Sequence, residues 1–116
     1  MSDITKVTEL KDYILQILED KKAQDISVID LRGKTALADY IIIASGTSIK
    51  HVASIADFTG FEIKHKFNRS VGIEGAGTST WVVLDASDVI IHLFYPETRD
   101  YYQLDKIYET KESLSL

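Results

Sequence analysis

The chain has 116 residues, 45% of them apolar, enough for one domain with a core that needs no staples. Its net charge of −5 and pI near 5.1 argue against phosphate-backbone binding as the main activity and make basic proteins the natural electrostatic partners. The absence of cysteine excludes disulfides, thiolate catalysis and cysteine-ligated zinc.

The N-terminus, MSDITKVTELKD, lacks the basic-then-apolar order of a signal peptide. The longest apolar run, Tyr40 to Ala44, is far too short to cross a bilayer, so a soluble cytoplasmic protein without membrane association is expected. Val7, Leu10, Ile14, Ile17 and Leu18 recur at helical spacing and predict an amphipathic helix from Thr5 to Lys22. Asp25 to Leu31 is a short β-rich run closed by Arg32-Gly33. Leu37 to Ala44 is apolar without alternation, which suits a central strand covered on both faces.

Ser45-Gly46-Thr47-Ser48 ends that strand and opens a second helix, with hydroxyl residues able to cap it. Ile49, Val52, Ala53, Ala56 and Ile63 mark its buried stripe, reaching about Lys66. Val71 to Gly75 reads as a short edge strand. Trp81 to Leu84 and Val89 to Tyr95 read as an antiparallel hairpin around Asp85-Ala-Ser-Asp88. No glycine or asparagine supplies positive φ there, so a four-residue turn of type I character is predicted. Pro96 suits the first position of a last helix, with Tyr101, Leu104, Ile107 and Tyr108 as its apolar stripe. The whole is a single α/β domain over residues 1–116, a mixed sheet with packed helices, folded over 5–108 with a polar, fraying tail at 109–116.

The hairpin has two unlike faces. Val82, Leu84, Val89, Ile91 and Leu93 make one wholly aliphatic face that must meet helices. The other carries Trp81, Val83, Ile90, His92 and Phe94. With Leu84 opposite Val89, Trp81 falls opposite His92, about 5 Å apart at Cβ. Two readings of this face stand. Either helices cover both sides and Trp81 is core, or the aromatic patch awaits a protein partner, with Arg99, Tyr101 and Tyr102 close by.

Candidate chemistry is sparse. Asp39, Asp85, Asp88, His51 and His92 stand in no metal-binding spacing, and Asp85 and Asp88 suit a turn. His51 reads as a surface residue one turn into its helix. Ala44 to Ser48 lacks the P-loop lysine and any GxGxxG, so it reads as a capped strand-to-helix turn. No cofactor or metal is implied.

The pieces in order resemble the ribosomal silencing factor (Iojap-like) family. They are Lys22-Ala-Gln-Asp25 running into Val28-Ile-Asp-Leu-Arg-Gly33, Ala38-Asp-Tyr40 followed by Ile-Ile-Ile-Ala-Ser-Gly-Thr-Ser48, and His51-Val52 with Ile55-Ala-Asp57. After these come Glu74-Gly75, Trp81-Val-Val-Leu-Asp85, Asp88-Val-Ile-Ile-His92, and Arg99 with Tyr102-Gln-Leu104. The likeness covers Thr5 to Ile107. It departs where the family commonly has a tryptophan near the end of its last helix and this chain has Ile107-Tyr108.

The resemblance implies a nucleotidyltransferase-like fold without catalytic activity. It implies binding to ribosomal protein fourteen of the large subunit, which blocks joining of the small subunit and represses translation. It implies partner contacts at Trp81 and Tyr102, with Phe94, His92 and Arg99 in support, and a second copy of the factor as partner in the free state. The alternative is a metal-dependent nucleotidyltransferase-like enzyme using Asp85 or Asp88 with the Ser45 to Ser48 loop for phosphates. Such enzymes carry a paired acidic motif shortly after the Gly-Ser turn, and this chain has none there.

Overall fold

The computed structural model describes residues 4–34, 36–75 and 80–102. Helix α1 (Ile4–Asp20) leads into strands β1 (Gln24–Asp30) and β2 (Tyr40–Ser45), then helix α2 (Ile49–Phe67). Strands β3 (Gly72–Glu74), β4 (Trp81–Asp85) and β5 (Val89–Phe94) follow, and helix α3 (Pro96–Tyr102) closes the described part. The expected order of elements holds, with boundaries moved by up to three residues. The expected helical stripe at Leu104, Ile107 and Tyr108 and the tail at 109–116 lie outside the described residues. No described helix is long and apolar enough to cross a membrane.

The five strands form one mixed sheet in the order β1-β2-β5-β4-β3. Only β2 and β5 are parallel; the other pairs are antiparallel. The two parallel strands sit at the centre and every residue of both is buried, as their unalternating apolar sequences require. The edges, β1 and β3, are the exposed strands.

Helices α1 and α2 cover one side. Leu10, Ile14 and Leu18 of α1 and Val52, Ile55 and Ile63 of α2 pack on Ile42, Val82, Leu84, Ile91 and Leu93. This is the aliphatic face predicted from the hairpin. The opposite side holds a smaller cluster of Leu31, Ala38, Ile41, Ile43, Ile90 and Phe94, with Ile29, Trp81 and Val83 partly buried against it.

Local chemistry fixes the ends of α2. Ser48, in extended conformation, accepts the His51 N–H at 3.0 Å as N-cap. Asn68 closes the helix in the left-handed region, with Lys64, His65 and Lys66 in the last turn against the negative end of the dipole. Gly46 is dictated by contact: a Cβ there would sit 2.8 Å from a Val52 methyl and 3.0 Å from its backbone nitrogen.

The hairpin turn differs from expectation. Ser87 adopts φ 71, the Asp88 N–H reaches the Ala86 carbonyl at 2.9 Å, and Ala86 N–H bonds the Val89 carbonyl at 3.0 Å. The loop is therefore tighter than a four-residue type I turn. The Asp85 carboxylate stabilises it by accepting the Ser87 N–H at 2.8 Å. Tightening the loop moves the register by two residues, so Trp81 pairs with Phe94, Val83 with His92 and Leu84 with Ile91. The predicted pairings of Leu84 with Val89 and Trp81 with His92 are thereby corrected.

The aromatic sheet face as candidate functional site

The alternation of β4 and β5 puts Trp81, Val83, Ile90, His92 and Phe94 on the side of the sheet away from α1 and α2. The Trp81 indole stacks on its direct partner Phe94, ring centroids 5.0 Å apart at 25°. It also reaches diagonally to His92, where the indole N–H donates to Nδ1 at 3.1 Å. The indole can only donate, so the neutral imidazole carries its proton on Nε2. Burial pushes the His92 pKa down from 6.5 to about 4.

Exposure divides the predicted contact residues. Trp81 and Val83 are half-buried and face outward. Phe94 is 0% exposed and His92 6%. These two support the indole from below, in place of presenting an outer surface themselves. Tyr102 closes α3, and its side chain lies outside the described residues.

Arg99 comes from α3 and reaches β1 and β2. Its Nη1 donates to the Asp25 carbonyl at 2.6 Å and the Ser45 hydroxyl at 3.0 Å, and Nη2 to the Ser27 hydroxyl at 3.3 Å. The target is a bulge: Gln24 pairs with Ser45 but Ser27 with Ile43, so β1 carries one extra residue. Asp25 at φ 50 turns its carbonyl toward the guanidinium there. The sequence gives no hint of this junction, because 74 positions separate Arg99 from Asp25.

His51 is also more engaged than expected. Thr47 N–H donates to its Nδ1 at 2.8 Å, and its Nε2 lies 2.8 Å from the Lys21 carbonyl. It ties the α1–β1 turn to the β2–α2 turn, a structural bridge made from a partly exposed position.

The residues of the enzymatic alternative are kept apart by topology. Asp85 and Asp88 stand at the β4–β5 turn, where β5 begins, and Asp88 is held by Arg69 at 3.0 Å. Ser45 ends β2 beside Phe94, where β5 ends, and Gly46 to Ser48 follow it. Five strand steps separate the two places, about 16 Å. Among the described residues no group of three or more histidine, aspartate or glutamate side chains is placed to hold a metal ion.

Comparison with known proteins agrees with the fold and the motif order. The family model described as "Ribosomal silencing factor during starvation" matches residues 4–116. A Zymomonas mobilis protein named ribosomal silencing factor RsfS is 43% identical over 99 residues, 85% of this chain and 74% of that one. A mouse protein named for mitochondrial assembly of the ribosomal large subunit is 35% identical over 84% of this chain and 44% of its own length. The crystal structure of a Chromobacterium violaceum protein superposes with a TM-score of 0.81 at 30% identity, covering 93% of this chain and 88% of that one. The chain belongs to the ribosomal silencing factor family.

Proposed function

We propose that this protein binds ribosomal protein fourteen on the intersubunit face of the large subunit and sterically blocks joining of the small subunit, repressing translation. The observation that carries the reading is the half-buried Trp81, held at the partly exposed β4 margin of an otherwise buried sheet face by His92 and Phe94. A tryptophan oriented by its neighbours is preorganised to anchor a partner, because little side-chain entropy remains to be lost on binding. The acidic balance of the chain suits a basic ribosomal protein, and the name of the mouse relative refers to the large subunit.

Trp81 is the anchor, with Tyr102, the last residue of α3, as the second contact. Phe94 and His92 act by holding the indole, and Arg99 by fixing the end of α3 to the sheet. In the absence of ribosomes a second copy of the chain covers the same patch. No chemical step is involved; occupancy of the site is the whole mechanism.

The test is retention of isolated large subunits by immobilised protein. Wild type is expected to retain them, and Trp81→Ala and Tyr102→Ala to lose them while still folded by circular dichroism. Loss at Trp81 corresponds to on the order of 2 kcal/mol or more of binding free energy. Normal retention by a folded Trp81→Ala variant would overturn the site, and failure of wild type to bind would overturn the function. A rise in melting temperature with ATP or GTP and magnesium would instead favour the nucleotidyltransferase reading.

A further inference from the structure

The outer side of α2 carries an apolar ridge that neither the core nor the Trp81 face uses. Val52, Ile55, Ala56, Thr59, Gly60 and Ile63 take the inner side, which leaves Phe58 and Phe61 pointing away from the sheet. Phe61 is 57% exposed, more than any other large hydrophobic among the described residues. Two open hollows flank it. One, of about 530 Å³, lies toward the start of the helix and is lined by Lys50, Ala53, Asp57 and Phe58. The other, of about 340 Å³, lies between the helix and edge strand β3 and is lined by Gly60, Lys64 and Ile73.

Ile73 is itself 40% exposed, and Gly60 lets it come close to the helix, since a Cβ there would lie 3.0 Å from the Ile73 Cδ1. A ridge between two hollows is the shape into which the side chains of a crossing helix interdigitate.

The charge around this ridge is opposite to that of the whole chain. The Lys21 ammonium lies 3.9 Å over the Phe58 ring, and His65 packs on Phe61 with centroids 4.0 Å apart. Lys50 and Lys64 border the hollows, and Asp57 is the one carboxylate lining them. The chain as a whole carries −5. A cationic rim around exposed aromatics selects a partner with carboxylates flanking an apolar seam. One face of each ring is already taken, Phe58 by Lys21 and Phe61 by His65, which disfavours base stacking as the mode of use.

We propose that the outer face of α2, centred on Phe61 and extending to Ile73, docks an acidic amphipathic helix of a second protein. The ridge is on the α2 side of the sheet and Trp81 on the other, so both surfaces can be occupied at once. The protein would then bring a second factor to whatever its aromatic sheet face engages. This inference is independent of what binds Trp81.

The test is selection from a displayed library of short helical peptides against the immobilised full chain, with the Phe61→Asp variant as counter-selection. Phe61 is exposed, so that variant is expected to keep the wild-type circular dichroism spectrum. The expected outcome is enrichment of sequences with apolar residues at helical spacing flanked by carboxylates. These peptides are expected to bind wild type at least about tenfold more tightly than Phe61→Asp and to weaken as salt is raised. Lys64→Glu is expected to weaken them as well.

Absence of any Phe61-dependent sequence, or enrichment of basic ones, would overturn the proposal. Two further results would replace it. Phe61-dependent binding of a short oligouridylate would mark a nucleic-acid surface. Concentration-dependent dimerisation lost in Phe61→Asp would mark an interface between copies of this chain.

Discussion

Trp81 and His92 are joined across the β4–β5 ribbon by an indole N–H donated to the imidazole Nδ1 at 3.1 Å. The residues are diagonal neighbours and not direct partners, since Trp81 pairs with Phe94 and Val83 with His92. The bond therefore holds the indole at an angle that leaves it half outside the sheet while its ring rests on Phe94. A partly exposed indole thus rests on two buried supports, and one of these titrates.

Stability is expected to fall as pH drops below neutrality. The His92 pKa is lowered from 6.5 to about 4 in the folded state. Between those values the unfolded chain binds a proton that the folded chain refuses, so stability rises with pH across that window and is lost as pH falls through it. The full contribution is about 3 kcal/mol. Comparing urea denaturation of wild type and His92→Leu isolates it from the carboxylates. The difference in stability between the two proteins should shift toward the variant on going from pH 6.5 to 4. A difference independent of pH would show that His92 titrates normally.

Trp81→Phe is expected to cost stability although it keeps an aromatic ring over Phe94. The phenyl group cannot donate, so the buried His92 Nδ1 loses its indole donor, a penalty of about 1–3 kcal/mol. In a His92→Leu background that part of the penalty should vanish. A double-mutant cycle read by urea denaturation measures the coupling. A coupling near zero would mean that the bond is exchanged for water at no cost.

The same strand pair shows what was legible in the sequence. Which residues share a face follows from the period of two, and the dry face of Val82, Leu84, Val89, Ile91 and Leu93 is buried as predicted. Which residues pair does not follow, because the register depends on the turn. A serine at positive φ, stabilised by the Asp85 carboxylate, shortened that turn by a device that composition does not announce. A slip of two residues keeps every side chain on its own face, so the faces came out right and the partners wrong. The Arg99 junction was illegible for a different reason: it depends on a bulge in β1 that brings together groups far apart in the chain. Phe58 and Phe61 were readable in principle, being two aromatics three positions apart and off the buried stripe of α2.

Arg99→Met is expected to loosen the β1 end of the sheet. The guanidinium serves two hydroxyls and one carbonyl there, and hydrogen bonds from a charged donor contribute about 1.5–3 kcal/mol. Amide exchange at Ile26 and Ser27 should accelerate more than exchange in β4, and Ser45→Ala should reproduce part of the effect. If Arg99→Met leaves stability and exchange unchanged but abolishes retention of large subunits, Arg99 is a direct contact and not a staple.

Thr59→Val is expected to stabilise the protein. Thr59 is fully buried on the sheet-facing side of α2, and its hydroxyl has no hydrogen-bond partner among the described residues. Removing an unpaired buried hydroxyl while keeping the branched shape recovers its desolvation cost, about 1 kcal/mol or more. Valine and threonine have similar helix propensity, so the backbone contributes little to the difference. Thr59→Ser provides the contrast, since it keeps the hydroxyl, removes the methyl and is expected to destabilise. Urea midpoints with unchanged m-values are the measurement. A less stable Thr59→Val would mean that the hydroxyl finds a helical carbonyl in solution, and that the orphaned donor is not a cost the fold carries.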